Sequence, residues 1–255
     1  MIVHFNPVAF SFFGLSVRWY GLVYIAGFFL SLYLGRRFQK KILSSPLSKD
    51  AFENLTFGIF LWGVVGGRLG EFLFYHPSLF LTDFWEIFKV WHGGMSIHGG
   101  LLGAIFFILY FSRKHKISFL SIGDTFVIPL AITLIFGRIA NFINGELVGI
   151  PTHANWGVIF PNIDNQLRYP SQLYESAKNL FLTAVLFFLY SKEAYRNKGM
   201  LTVVFLSGYG ILRFALEFFR EPDGIIGPIS TGQALSLVMI VTAGVIAYTQ
   251  KFWRK

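Results

Sequence analysis

One stretch near the end of the chain combines residue types that could bind an anion. Tyr209, Arg213 and Glu217 follow one another at intervals of four residues, and Arg220 comes three residues after Glu217. In a helix these intervals place the side chains on one face. Because guanidinium groups bind phosphate and carboxylate groups well, the pattern predicts an anion site whose geometry Glu217 maintains. The alternative is an internal Arg–Glu pair that only connects helices.

A second polar segment, GRIANFINGE, joins a positive charge, two amides and a carboxylate: Arg138, Asn141, Asn144 and Glu146. Arginine suits a phosphate or carboxylate group, and asparagine side chains donate further hydrogen bonds. Asparagine and glycine are also ordinary turn residues just beyond a helix. That alternative accounts for Asn144 and Gly145, but it does not account for Arg138 and Glu146.

His98 is a candidate general base in the glycine-rich sequence GGMSIHGG. Imidazole can accept a proton near neutral pH, although a lone histidine is more often a hydrogen-bonded residue at a helix interface. His92 is a weaker candidate for the same role. The glycines do not form a nucleotide-binding fingerprint, since no strand precedes them. The six histidines are scattered without metal-ligand spacing, so we expect neither a metal nor a cofactor.

The composition indicates that these polar residues belong to a membrane protein. Charged residues make up only 14% of the 255 residues, and the apolar set AVILMFWYC reaches 54%, whereas a typical soluble domain has roughly 25% charged residues. This balance excludes a cytosolic enzyme, a secreted disulfide scaffold and a disordered chain. The chain has no cysteine, so any thiol in its chemistry must come from a substrate. The net charge of +9 lies in short clusters between apolar runs, which is typical of cytoplasmic loops and not of a nucleic-acid-binding surface.

Seven apolar stretches approach the length that is needed to cross a membrane, since a hydrocarbon core of about 30 Å takes roughly 20 helical residues. The stretches are approximately 17–35, 54–75, 95–111, 119–137, 173–190, 200–220 and 233–250. The first residues lack the basic start of a cleavable signal peptide. We therefore predict an all-α polytopic membrane protein with about seven transmembrane helices. Residues 1–255 would form a single integral membrane domain with an outer irregular segment at about 138–172.

The distribution of Lys and Arg predicts the orientation. Most of the basic residues lie in the C-terminal tail and in the loops after the first, third and fifth apolar stretches. The positive-inside rule therefore places the C-terminus in the cytoplasm and the N-terminus outside. Further basic residues lie within or beside the apolar stretches, where each costs roughly 2.5–3.5 kcal/mol at mid-bilayer. These residues are Arg18, Arg68, Arg138, Lys178, Arg213 and Arg220. With this topology, the embedded polar residues converge toward the outer leaflet.

Several blocks of the sequence match a known family in order. The run GRIANFINGELVG, residues 137–149, fits the signature G-R-x-x-N-F-x-N-x-E-x-x-G of the bacterial prolipoprotein diacylglyceryl transferases at every defined position. The other matching blocks are RWYGLVY (18–24), GGRLG (66–70), GMSIHGGLLG (94–103), YPSQLYE (169–175), YGILRFALEFFREPD (209–223) and TGQALS (231–236). Each block alone is a short motif, but together they extend over nearly the whole chain. The sequence thus resembles this family, although its outer segment 149–168 looks short compared with some relatives.

The resemblance implies an enzyme that transfers the diacylglyceryl group of phosphatidylglycerol to the lipobox cysteine of preprolipoproteins. A thioether forms and glycerol phosphate leaves, as the first step of bacterial lipoprotein maturation. The implied partners are phosphatidylglycerol, preprolipoprotein signal peptides with a lipobox cysteine and membrane lipids, with no nucleic acid. The implied location is the cytoplasmic (inner) membrane, with the active site toward the outer or periplasmic side. By motif position, the implied functional residues are Tyr20, His98, Arg138, Asn141, Glu146, Tyr209, Arg213, Glu217 and Arg220.

For this reaction we expect Arg138 and Arg213 to clamp the phosphate, with support from Arg220. Glu146 and Glu217 would hold the arginines in place. The remaining expected roles are proton removal from the thiol by His98 and headgroup orientation by Tyr20 and Asn141. A carrier of anions or lipids could use the same arginines, but such carriers tend to contain internal repeats, and this sequence has none. A structural scaffold would leave the embedded basic residues unexplained.

Overall fold

The computed structural model describes residues 2, 5–12, 15–78, 82–89 and 94–252, so the candidate His92 lies outside the described residues. This part of the chain is mostly helical, as predicted. Its long helices are α1 (Trp19–Ile42), α2 (Lys49–Phe74), α3 (Ile97–His115), α4 (Phe119–Asn144), α5 (Ser171–Ser191), α6 (Met200–Leu216) and α7 (Thr231–Thr249). By length and composition, α2, α4, α7 and the continuous segment Met200–Phe219 could each cross a membrane.

Short strands and 3₁₀ turns connect the helices. The three antiparallel pairs are β1 (Val8–Phe12) with β2 (Leu15–Arg18), β3 (Val158–Ile159) with β4 (Leu167–Arg168), and β5 (Ile225–Ile226) with β6 (Ile229–Ser230). The 3₁₀ turns are Phe84–Phe88, Ala194–Arg196 and Glu217–Phe219. Arg18 therefore ends a strand, and the first helix begins one residue later instead of at residue 17.

The C-terminal end of α4 differs from the prediction. The helix continues to Asn144 instead of ending at 137, so Arg138 and Asn141 lie on its last two turns and not in an irregular segment. Gly137 does not end the helix, because one glycine in a helix costs only about 1 kcal/mol relative to alanine. The helix ends before Gly145, whose φ of +66° lies in the left-handed region that glycine favours.

The chain divides into two compact units, residues 1–30 with 123–255 and residues 31–122. In the first unit, α5, α6 and α7 pack in sequence order. Asp124, which is fully buried in α4, fixes the start of α6. Its Oδ2 accepts a hydrogen bond from the Gly199 amide at 2.7 Å, and its Oδ1 accepts from the Thr202 amide and hydroxyl, both at 2.8 Å. Backbone amides at a helix N-terminus carry partial positive charge, so a carboxylate there stabilises α6.

The loop between α4 and α5 is tied to the end of α6 by backbone hydrogen bonds. The Gly149 amide donates to the Tyr169 carbonyl at 3.1 Å, and the Ile150 amide donates to the Phe219 carbonyl at 3.2 Å. The Glu221 amide returns a hydrogen bond to the Val148 carbonyl at 3.2 Å. Residues 148–150 thus lie between two other chain segments, and their pairing fixes the backbone that carries Arg220.

Arg168 connects the same segments through its side chain. Its Nη1 donates to the Gly149 carbonyl at 2.9 Å and to Glu221 Oε2 at 2.7 Å, and its Nη2 donates to Asp164 Oδ2 at 2.6 Å. The hydrogen bond from this guanidinium group lowers the pKa of Asp164 below its ordinary value of 3.8. Because Arg168 and its contact with the Gly149 carbonyl are buried, removal of this side chain would leave the carbonyl without this donor, and water could not easily replace it.

In the second unit, α2 and α3 approach each other closely at glycines. A Cβ atom on Gly70 would lie 2.7 Å from the Gly99 Cα, and a Cβ atom on Gly66 would lie 3.0 Å from the Gly103 Cα. Real side chains cannot occupy these positions without moving the backbone. Such small residues let helix backbones approach when there is little hydrophobic force between them in lipid.

Candidate active site

Glu175 is the meeting point of four cationic side chains in the first unit. It lies near the start of α5 and is only 2% exposed. Arg138 Nε and Lys178 Nζ lie 2.9 and 3.6 Å from its Oε2, while Arg213 Nη1 and Arg220 Nη1 lie 3.3 and 3.6 Å from its Oε1. The cations come from α4, α5, α6 and the segment after α6. We call Arg138, Glu175, Lys178, Arg213, Glu217 and Arg220 the charge cluster.

Glu217 is the second buried carboxylate of the charge cluster. It forms an ion pair with Arg213, one helical turn earlier, which agrees with the predicted common face. Glu217 Oε1 also accepts a hydrogen bond from the Ser230 hydroxyl at 2.8 Å. Ser230 caps the N-terminus of α7 in a capping box with Gln233. A Cβ atom on Gly232 would lie 2.7 Å from Glu217 Oε2, so a larger residue at this position would displace the carboxylate.

Two tyrosines that were predicted from the sequence as functional residues interact with members of the charge cluster. The Lys178 ammonium lies 3.6 Å from the centre of the Tyr209 ring, within the range of a cation–π interaction. The Arg138 side chain interacts with both Tyr209 and Tyr20. The Tyr20 hydroxyl is 3.0 Å from the Tyr24 hydroxyl, one turn further along α1. The first unit therefore brings α1, α4, α5 and α6 together around Arg138.

Arg220 reaches the charge cluster from an extended segment. Its Nη2 donates to Asp223 Oδ1 and Oδ2 at 2.8 and 2.6 Å, and Asp223 is 59% exposed. The backbone of Arg220 pairs with that of Gly149. A Cβ atom on Gly149 would lie 2.7 Å from the Phe219 carbonyl oxygen, so the last glycine of the signature segment permits this pairing.

Asn141 and Glu146 form a small network beside the end of α4. The side-chain amides of Asn141 and Asn144 donate hydrogen bonds to the Glu146 carboxylate at 3.3 and 3.4 Å. The side-chain amide of Gln172 donates to the backbone carbonyl of Glu146 at 2.7 Å. We expected Glu146 to hold an arginine, but the carboxylate that contacts Arg138 is Glu175. The left-handed turn at Gly145 directs the chain back toward the asparagines, so Glu146 meets their amides instead.

His98 belongs to the second unit, where it lies in the first turn of α3. Ser96 caps this helix by accepting the Gly99 amide at 3.3 Å, and the Ser96 amide donates to the Gly67 carbonyl at 3.0 Å. The buried Arg68 side chain donates to the Gly94 carbonyl at 3.0 Å. It donates further hydrogen bonds to the carbonyls of Glu86, Ile87 and Lys89. Arg68 is thus a structural cation that orders the chain leading to His98.

The charge cluster contains buried donors without hydrogen bonds. Within the described part of the chain, Lys178 Nζ and Arg220 Nε are buried and make no hydrogen bond. Arg213 Nη1 also lacks a well-aligned hydrogen bond, although it is ion-paired with Glu175 and Glu217. A buried donor that lacks a partner costs about 1–3 kcal/mol, and more when it is charged. Four cations also outnumber the carboxylates that they contact, which are the buried Glu175 and Glu217 and the more exposed Asp223 beside Arg220. An anion with several oxygen atoms would satisfy both the donors and the charge.

The sequence interpretation did not select Glu175 and Lys178 as site residues. The available signals were the position of Glu175 at the end of the YPSQLYE block and the cost of embedding Lys178 in an apolar stretch. Their spacing of three residues also places the two side chains on the same helix face. These signals mark both residues as unusual, but the convergence of the arginines on Glu175 depends on contacts between distant parts of the chain.

Known proteins match this chain over almost its whole length. The family model for prolipoprotein diacylglyceryl transferase matches residues 7–249. A phosphatidylglycerol–prolipoprotein diacylglyceryl transferase of Nitrosomonas europaea is 45% identical, and the match covers 97% of this chain and 91% of the relative. For the enzyme of the same name from Dechloromonas aromatica the values are 45%, 98% and 99%. For that from Pseudoalteromonas atlantica they are 46%, 92% and 86%.

Proposed function

The chain belongs to the prolipoprotein diacylglyceryl transferase family. We therefore infer that it transfers the diacylglyceryl group of phosphatidylglycerol to prolipoproteins. It is a transferase that acts in the first step of lipoprotein maturation. The charge cluster supports this assignment of the active site most strongly, because it holds more positive than negative charge and contains buried donors without hydrogen bonds. A phosphate group has the charge and the oxygen atoms that such a site requires.

The acceptor in this proposal is the thiol of the lipobox cysteine in a preprolipoprotein signal peptide. The chain itself has no cysteine, so the sulfur atom of the thioether comes from the acceptor. A signal peptide has an apolar central region, which can approach an enzyme embedded in the membrane. Phosphatidylglycerol is available in the same membrane, so both substrates reach the site from the lipid phase.

The reaction requires positive charge at the leaving group. The sulfur atom forms a bond to a glycerol carbon, the bond between that carbon and the phosphate oxygen breaks, and the electron pair leaves with the oxygen. Arg138 and Arg213 bind the phosphate and stabilise the developing charge, and Arg220 supports them. Glu175 and Glu217 hold the guanidinium groups in position. Fixed donors are especially effective here because they need little reorganisation during the reaction.

The neutral polar residues orient the lipid headgroup in this proposal. Tyr209 hydrogen-bonds Arg138 and Tyr20 interacts with it electrostatically, which supports an orienting role for both hydroxyl groups. Asn141 is buried on the last turn of α4, and its hydrogen bond to Glu146 fixes its amide. Amide and hydroxyl groups of this kind can hydrogen-bond the glycerol hydroxyls of phosphatidylglycerol.

We place the chain in the bacterial cytoplasmic membrane with about seven transmembrane helices. The N-terminus lies outside, the C-terminus lies in the cytoplasm, and the active site faces the outer side. The basic loops after α1, α3 and α5 support this orientation. The membrane-spanning length and apolar composition of α2, α4, Met200–Phe219 and α7 support a multi-pass arrangement.

Single cysteines can test this topology, because the unaltered chain contains none. We expect Asn162→Cys, in the loop between α4 and α5, to react with a membrane-impermeant maleimide in intact spheroplasts. We expect Lys116→Cys, in the loop after α3, to react only after the membrane is permeabilised. Labelling of Lys116→Cys but not Asn162→Cys in intact spheroplasts would reverse the proposed orientation.

We expect Arg138→Gln, which removes the positive charge, to lower the rate of diacylglyceryl transfer by about 100-fold or more, because one fixed donor in such a site contributes that much to the rate. The assay uses purified protein in micelles that contain phosphatidylglycerol, with a lipobox peptide as acceptor. It measures the mass gain on the peptide cysteine together with the release of glycerol phosphate. A Cys→Ser peptide should gain no mass.

The matched control for Arg138→Gln is Arg196→Gln, because the side chain of Arg196 is 75% exposed and pairs only at the surface with Glu193. The control should retain full activity. Full activity of Arg138→Gln would contradict the phosphate assignment. Binding of phosphatidylglycerol without any change to the peptide would instead favour a lipid carrier.

His98 enters the proposal as the base that accepts the thiol proton, from its position in the GMSIHGGLLG block. We expect His98→Asn to lower the transfer rate and to flatten its pH dependence, since asparagine cannot exchange a proton in this range. The measurement is the transfer rate of both proteins across pH 6 to 9. A lower rate with an unchanged pH profile would assign His98 a positioning role, and an unchanged rate would contradict both roles.

A further inference from the structure

Lys178 is a buried ammonium group to which the family resemblance assigns no role. It lies in α5 one turn after Glu175, and its side chain is only 2% exposed. Its Nζ lies 3.6 Å from Glu175 Oε2 and 3.6 Å from the centre of the Tyr209 ring. Within the described residues this atom donates no hydrogen bond. Lys178 therefore has an ion pair and a cation–π contact, but its three N–H groups have no hydrogen-bond acceptor.

Pairing with Glu175 alone does not account for burying this charge. The single negative charge of Glu175 already faces Arg138, Arg213 and Arg220, of which Arg138 is nearest at 2.9 Å. A buried charge is costly unless it is both paired and hydrogen-bonded. If the role of Lys178 were only structural, an apolar side chain of similar length would fill the same space at lower cost. Nζ therefore retains the capacity to donate hydrogen bonds to a further acceptor.

The charge change in the transfer reaction defines that acceptor. The phosphodiester group of phosphatidylglycerol carries one negative charge. When the carbon–oxygen bond breaks, its electron pair goes to the phosphate oxygen, and the glycerol phosphate that leaves carries two negative charges. The thiol proton goes to a base before or during the attack, so the thiolate charge passes to the leaving group. The need for positive charge at the phosphate therefore increases as the reaction proceeds.

We propose that Lys178 is a further catalytic residue whose ammonium group contacts the phosphate and stabilises the second negative charge on the departing glycerol phosphate. The proposal rests on the proposed transferase function. Tyr209 and Glu175 fix the position of Nζ, and its free N–H groups face the phosphate. Because the interaction strengthens between the bound lipid and the transition state, Lys178 contributes more to kcat than to substrate binding.

Steady-state kinetics provide the first test. We expect Lys178→Met to lower kcat by about 100-fold, the effect of removing one fixed donor, while KM for phosphatidylglycerol changes far less. Lys178→Arg should retain much of the activity because it keeps the charge. The matched control is Thr183→Val, five residues further along α5, where the buried hydroxyl donates a hydrogen bond to the Asn179 carbonyl of its own helix. Wild-type kcat in Lys178→Met would overturn the proposal.

Binding measurements separate a phosphate contact from a structural role. Wild-type protein in micelles should bind glycerol phosphate, a phosphomonoester, about tenfold more tightly than glycerophosphoglycerol, a phosphodiester, because the additional charge faces the ammonium group. Isothermal titration at pH 8 measures both affinities. Lys178→Met should lose this preference while retaining the diester affinity. A preserved preference, or an equal loss of both affinities, would overturn the proposal.

Lys178→Gln serves as a second neutral variant if Lys178→Met does not fold, with thermal unfolding as the check. Wild-type protein without transferase activity would refute the proposed function, whereas active wild-type protein with fully active Lys178 variants would refute only this inference.

Discussion

The buried carboxylate of Glu175 organises the candidate active site. Arg138, Lys178, Arg213 and Arg220 all lie within 3.6 Å of its oxygens, and they arrive from three helices and one extended segment. None of these charges would be stable alone in a medium of low dielectric constant. The packing of α4, α5 and α6 in the first unit therefore has to bring the charges together, and Glu175 defines the point at which they meet.

The rest of the first unit keeps this arrangement in place and leaves it with an excess of positive charge. Arg168 ties the loop after α4 to the segment that carries Arg220, and the hydrogen bond it donates holds the pKa of Asp164 below its ordinary range. Asp124 fixes the start of α6 and hence the axial position of Arg213. Because the cations outnumber the buried carboxylates, the cluster favours the binding of an anion, and this excess charge is the basis on which we propose a phospholipid phosphate as its ligand.

Sequence patterns were sufficient for local features and insufficient for the long-range ones. Apolar length predicted the long helices, and the four-residue spacing of Arg213 and Glu217 predicted a common face that the structure confirms as an ion pair. The end of α4 was misplaced because the apolar stretch stops at 137, before the charged Arg138, whereas the helix continues through this polar segment to Asn144. The role of Glu175 was not predictable, since it depends on contacts with Arg138, 37 positions before it, and with Arg213, 38 positions after it. Glu146 lies in the family signature, yet the turn at Gly145 determines which partners it reaches.

The most direct test of this account is an experimental structure of the protein with phosphatidylglycerol bound, obtained in a lipid phase before the acceptor peptide is added. We expect the phosphate oxygens to lie beside the Arg138 and Arg213 guanidinium groups and within hydrogen-bond distance of Lys178 Nζ and Arg220 Nε, which make no hydrogen bond among the described residues. We also expect Glu175 to remain in contact with Arg138. A phosphate bound elsewhere, with the charge cluster unchanged around Glu175, would contradict the account and leave these charges a purely structural role.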